Sequence, residues 1–189
     1  MNKSITQQIN DHLEVFNQLQ SSATDIETVA ARLGDVLAAG GQILLAGNGG
    51  SAADAQHIAA EFTGRYIRAR KGLPAIALTT DTSALTAISN DFGYDQVFAR
   101  QLEALGNPGD ALIVYSTSGN SENIITAINF AKANNIYTVA LTGESGGKIK
   151  AMVDHCFCVP SAETPRIQEA HAFIGHALCD LIDQRFSDA

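Results

Sequence analysis

Apolar residues recur at Ile5, Ile9, Leu13, Phe16 and Leu19, in steps of three and four, which predicts an amphipathic helix near the N-terminus. A second helical pattern runs from about Asp25 to Leu37. Such leading helices either cover the core or bundle with another subunit. After Gly40 and Gly41 the texture changes to short apolar runs bounded by turn residues: Ile43 to Ala46, Ala75 to Leu78, Ala111 to Tyr115, Thr138 to Leu141, and Cys156 to Val159. Helical periodicity lies between them, as at Ala52 to Tyr66 and Asn123 to Ala133, and a long last helix is predicted from Arg166 to Phe186. The alternation predicts an α/β fold, a parallel sheet of about five strands covered by helices on both faces. There is no domain linker, so residues 1–189 read as one domain, with 1–40 as leading helices and 41–189 as the α/β core.

Two stretches repeat one device. ILLAGNGGS and LIVYSTSGNS each put an apolar strand before a small, polar, glycine-containing turn that opens a helix. In an open α/β sheet such turns lie at the carboxyl ends of strands, where ligands bind. The two are expected to line one crevice.

Composition narrows the ligand. Of 189 residues, 46% are hydrophobic and 17% charged, the balance of a folded globule. The net charge is −8, and the one local basic cluster (Arg65, Arg68, Arg70 and Lys71) is too small to track a nucleic-acid backbone. An anionic ligand must then be held by backbone N–H groups, hydroxyls and helix N-termini. No apolar run has the length of a signal h-region or a membrane span, and the expectation is a soluble cytoplasmic protein without membrane partners. Cys156, Cys158 and Cys179 lack CxxC spacing and suggest neither a disulfide framework nor a thiolate zinc site.

Within the first turn, Ser51-Ala52-Ala53-Asp54 fits a capping box with Ser51 as N-cap. Gly47, Asn48, Gly49 and Gly50 ask for more, because so many flexible residues cost backbone entropy unless a ligand approaches closely. A loose dinucleotide fingerprint, Gly47-x-Gly49-x-x-Ala52, competes, but its acidic partner is missing at the expected distance; Asp81 lies too far on. In the second turn Ser116, Thr117, Ser118, Asn120 and Ser121 offer a density of donors that suits phosphate oxygens.

His57 and Glu61 lie one turn apart on one helix face and can converge on an ion or a substrate atom, or share a surface hydrogen bond. Gln168 and His176, with His171 nearby, fall on the last helix, the first two roughly 12 Å apart along its axis. They reach one ion only by leaning strongly together or by coming from different chains. His12 and His155 read as surface or packing residues.

Taken together, GNGGSAADAQHIAAEFTGRY, NDFGYDQVF, STSGNSEN and RIQEAHAFIGH resemble the phosphoheptose isomerases of the sugar isomerase (SIS) group over nearly the whole chain. The resemblance implies a three-layer α/β/α SIS fold, a homotetramer with sites near subunit boundaries, and one zinc ion per subunit. It also implies conversion of sedoheptulose 7-phosphate to D-glycero-D-manno-heptose 7-phosphate, through an enediol, for lipopolysaccharide core synthesis. His57, Glu61, Gln168 and His176 occupy the family's metal positions, and Asn48, Gly49, Gly50, Glu61, Asn90, Asp91, Ser116, Thr117, Ser118, Ser121 and Gln168 match substrate-contacting ones. Glu61 is assigned as base and His176 as partner acid/base, Glu61 serving as base or ligand at any one step. Some members carry His after GNGGS where this chain has Ala52, which is assigned no role. Arg65 reads as a phosphate contact or a structural ion pair. Two non-enzymatic readings stand beside the isomerase: a SIS tetramer that binds a replication initiator protein, which lacks the glutamate matching Glu61, and a phosphosugar-sensing module.

Overall fold

The computed structural model describes residues 3–187. Strands β1 (Ile43–Gly47) and β3 (Ala111–Ser116) are buried at every position, as expected of strands covered on both faces. With β2 (Ala75–Ala77), β4 (Tyr137–Thr142) and β5 (His155–Cys158) they form one parallel sheet in the order β2-β1-β3-β4-β5.

Seven helices make the outer layers among the described residues: α1 (Ile5–Leu19), α2 (Ala23–Ala38), α3 (Gly50–Thr63), α4 (Thr82–Phe92), α5 (Ala99–Leu105), α6 (Glu122–Ala133) and α7 (Thr164–Phe186). Side chains alternate through the sheet, so Ile43, Leu45, Ile113 and Leu141 meet α2, α3 and α7, while Leu44, Leu112, Val114 and Ala140 meet α5 and α6. The three-layer α/β/α architecture is present as expected. Helices α4 and α5 occupy a stretch for which no element was predicted. Helix α4 buries no residue fully, so its apolar stripe is weak, and it is fixed instead by Asp81, whose carboxylate accepts the Ala84 N–H at 2.9 Å.

Helix α1 departs from a simple covering role. Val15 and Leu19 turn inward, but Ile5, Ile9 and Leu13 are 71%, 53% and 54% exposed. Most of the predicted stripe therefore faces away from the chain's own core. Helix α2 buries Val29 and Leu33 completely and packs along α7.

Helices α3 and α7 run side by side in the same direction, Gly50 beside Gln168 and Ile58 beside Gly175. Gly175 permits the close approach, since a Cβ there would stand 2.6 Å from Ile58 Cδ1. The segment after α3 is tied to α7 by Asp183, which is fully buried with Arg70 and accepts the N–H groups of Ile67 at 2.9 Å and Arg68 at 3.1 Å. Arg68 in turn pairs with Asp180. Two members of the small basic cluster are thus spent on ion pairs within the fold.

Candidate functional site

Strands β1 and β3 are neighbours, with Gly47 paired to Tyr115, so the two glycine-containing turns leave the sheet side by side. Helix α3 carries the chain toward β2 on one side and α6 carries it toward β4 on the other. This is the switch point of an open sheet, where a crevice forms beyond the carboxyl ends of the strands.

The first turn is shaped by glycine. Gly49 has φ +58° and ψ −120°, a conformation closed to side chains with a Cβ, and it is the N-cap of α3 with no side chain bonded across the helix start. The predicted capping box is therefore not formed. Helix α3 begins two residues earlier than that motif requires, Ser51 lies inside the first turn and is buried, and the Asp54 Oδ2 atom is buried without a partner. Burial raises the Asp54 carboxyl above its usual range, with the nearby His57 opposing it. The first-turn N–H groups of Ser51 and Ala52 are instead taken up within the turn itself, donating to Asn48 O and Gly49 O at 3.0 Å.

Asn48 joins the two turns. Its amide pairs reciprocally with that of Asn123, at 2.9 and 2.8 Å, and its Oδ1 also accepts the Tyr94 hydroxyl at 2.9 Å. Neither Asn123 nor Tyr94 was singled out in the sequence, although both lie inside motifs that were, STSGNSEN and NDFGYDQVF. Asn90 and Asp91, at the end of α4, hydrogen-bond to each other at 2.8 Å on the surface just before Tyr94.

In the second turn the hydroxyls of Ser116 and Ser121 are 3.3 Å apart, and Ser121 caps α6 without using its side chain, so its hydroxyl stays available. A loop that no sequence motif marks holds this turn from behind. Gly143 N–H donates to Thr117 O at 3.0 Å, Ile149 N–H to Gly119 O at 3.1 Å, and Lys148 N–H to Asn120 Oδ1 at 3.1 Å. Gly119, at φ +63°, packs so tightly that a Cβ would stand 2.1 Å from Gly146 O.

The structure brings three predicted residues together where α3 meets α7. His57 Nε2 lies 2.9 Å from His176 Nε2 and 3.4 Å from Glu61 Oε1. Tyr66 stacks on the His176 ring at a centroid distance of 5.3 Å. Burial, aided by the proximity of His57 and opposed by Glu61, lowers the His176 pKa below its ordinary value, which favours the neutral ring.

Gln168 does not join them within one chain. Helix α7 is continuous, the side-chain amide of Gln168 lies over Gly50 at the mouth of the first turn, and roughly 12 Å of helix separates it from His176. Among the described residues no three His, Cys, Asp or Glu side chains form a ready-made cage. His171 is fully buried and bonds Thr142 O at 3.2 Å, with burial pushing its pKa down to about 4, which makes it a core residue. His12 pairs with Glu169 on the surface. Arg65 donates to Ile67 O at 3.3 Å, a local contact.

Residues 6–143 match the family model of the SIS domain. At the level of whole chains, the phosphoheptose isomerase of Akkermansia muciniphila is 50% identical over 184 residues, 97% of each chain, and that of Roseiflexus sp. is 55% identical over 166 residues, 88% of this chain and 84% of that one. The solved phosphoheptose isomerase of Neisseria gonorrhoeae superposes with a TM-score of 0.89 at 45% identity, covering 95% of this chain and 97% of the other. The chain belongs to the SIS domain family and, within it, to the phosphoheptose isomerases.

Proposed function

We propose that the protein is an aldose–ketose isomerase converting sedoheptulose 7-phosphate to D-glycero-D-manno-heptose 7-phosphate, a step toward lipopolysaccharide core heptose. The observation that carries this reading is the convergence of His57, Glu61 and His176 where α3 meets α7, with α3 opening at the same crevice as the hydroxyl-rich turn. The phosphate would sit against the hydroxyls of Ser116, Thr117, Ser118 and Ser121 and the start of α6. Asn48, Gly49 and Gly50 would meet the sugar, with Asn90, Asp91 and Gln168 closing around it.

Isomerisation moves one proton from C1 of the ketose to C2 through an enediol. Glu61, about a quarter exposed and beside His57, would be the base that takes the C1 proton and returns it to C2. His176, neutral and desolvated, handles the proton on the adjacent oxygens.

His57, Glu61 and His176 are residue types that zinc takes, and the 3.4 Å from His57 Nε2 to Glu61 Oε1 matches the roughly 3.4 Å between ligands of a tetrahedral zinc, while the 2.9 Å to His176 Nε2 would have to open slightly to admit the ion. His57, Glu61 and His176 would hold it, with Gln168 supplied by a neighbouring subunit, and the ion would polarise the carbonyl and steady the enediolate. A cytoplasmic homotetramer with sites at subunit boundaries fits this arrangement and the outward apolar stripe of α1. Glu61 beside His57 favours turnover over a binding-only role as a replication-initiator partner or phosphosugar sensor.

The test is NMR of the zinc-supplied protein with sedoheptulose 7-phosphate in deuterated water. An aldoheptose phosphate carrying deuterium at C2, absent with Glu61→Gln, is the expected result. Substrate that binds unchanged would overturn the proposal.

A further inference from the structure

A second group of metal-ligating side chains lies away from this centre, on the edge strand β5. Alternation along His155–Cys158 sends Phe157 into the core and places Cys156 and Cys158 on the opposite face. Their Sγ atoms are 3.7 Å apart. The hydroxyl of Thr142, on neighbouring β4, stands 3.5 Å from Cys156 Sγ and 3.7 Å from Cys158 Sγ. Three soft or neutral donors thus form a nearly equilateral triangle. Thr142 is fully buried, and Cys156 and Cys158 are half-buried at the sheet edge.

Strand alternation alone explains two cysteines on one face. The register of the ladder adds the third donor, since Thr142 on β4 pairs with Cys158 and brings its hydroxyl against both sulfurs. Around a metal with sulfur bonds of about 2.3 Å, two ligands of a tetrahedral set are roughly 3.8 Å apart, close to the spacing found. Disulfide formation is the competing use of such a pair and fits less well. The sulfurs, 3.7 Å apart, would have to close to about 2.05 Å. A metal needs no thiolate in advance: a divalent ion binding two thiols yields the dithiolate complex and releases two protons. Sulfur ligands select soft cations over magnesium or calcium.

We propose that Cys156, Cys158 and Thr142 form a second metal site, for a soft thiophilic cation, separate from the His57–His176 centre. Thr142 leads directly into Gly143, whose N–H holds Thr117 O, so an ion bound there braces the loop that backs the hydroxyl turn.

The test is titration of the zinc-supplied protein with cadmium ion, followed by the sulfur-to-metal charge-transfer absorption in the ultraviolet. One equivalent per chain is expected to give the band. Cys156→Ser and Cys158→Ser should each abolish it and weaken cadmium retention by about ten- to a hundred-fold. Cys179→Ala, removing a sulfur buried on α7, should retain it. Melting curves without cadmium check that each variant is folded. In the unmutated protein cadmium should also protect Cys156 and Cys158 from alkylation, a readout that needs no substitution. Absence of the band in the unmutated protein, its survival in the double Cys156→Ser/Cys158→Ser variant, or unprotected cysteines would each overturn the proposal.

Discussion

Gly50 lies directly beneath the side-chain amide of Gln168, so close that a Cβ on it would stand 2.4 Å from Nε2. Gly50→Ala must therefore push Gln168 away from the first turn. If Gln168 contacts substrate as proposed, kcat/KM should fall about 100-fold, the scale expected of a displacement near 1 Å, while the melting temperature changes little. Steady-state kinetics and a thermal melt on the same preparation check this.

Proton transfer at the α3/α7 cluster gives a sharper expectation. Glu61→Gln, which keeps the side-chain shape, and His176→Asn, which keeps a polar group but loses the ring, remove the proton chemistry and a proposed zinc ligand, and should lower kcat by at least about 10²- to 10⁴-fold. Calorimetric binding of sedoheptulose 7-phosphate should persist in Glu61→Gln, separating lost chemistry from lost binding.

The hydroxyl turn is expected to act on binding. Ser116→Ala or Ser121→Ala removes one donor from the proposed phosphate site, and KM should rise about 5- to 20-fold with kcat nearly intact, corresponding to roughly 1–2 kcal/mol per hydrogen bond to a charged group. The measure is the separate response of KM and kcat.

Asp183 should govern acid stability. Burial by itself raises its proton affinity, but the N–H groups of Ile67 and Arg68 and the Arg70 guanidinium outweigh it and hold the carboxyl below its usual range. A carboxyl lowered in this way binds fewer protons folded than unfolded, so its contribution is complete above about pH 4 and fades as pH falls through the lower folded value. Asp183→Asn strands Arg70 in the interior and should cost about 3–5 kcal/mol at pH 7. Denaturant titrations at several pH values should also show a shallower loss of stability below pH 4 in the variant than in the parent.

Self-association should depend on α1. Replacing Ile9 and Leu13 with Glu alters positions 53% and 54% exposed, so the fold of the single chain should survive. Light scattering after gel filtration should show the proposed tetramer reduced to smaller species, with helical content unchanged by circular dichroism.

Sequence periodicity located all five strands and the flanking helices α1, α2, α3, α6 and α7, because each carries a continuous apolar run or a repeated stripe. It missed α4, whose residues are held by the Asp81 cap more than by burial. Asp81, weighed only as a distant partner for a nucleotide fingerprint, proves to be that cap. The capping box failed for a related reason: Gly49 adopts a conformation that lets α3 start before Ser51, and no local pattern of residue types reports a backbone angle. His57, Glu61 and His176 could be collected from motif and resemblance. Their separation from Gln168 follows from α7 being one unbroken helix beside α3, a relation between distant segments. Asn123 and Tyr94 were hidden because an amide pair across two turns leaves no periodic trace.

The pairing of α2 and α3 with α7 also bears on how the chain is made. Val29 and Leu33 on α2, and Ile58 on α3, share one buried cluster with Leu178 and Ile182, which are synthesised roughly 120 to 150 residues later. On the ribosome the early helices would wait with their apolar faces uncovered until the last helix clears the exit tunnel, and contacts so distant in sequence are slow to form. Completion of the fold is thereby deferred until α7 has been made, and a chain cut short before α7 would leave a sticky surface for the cell's chaperones to manage.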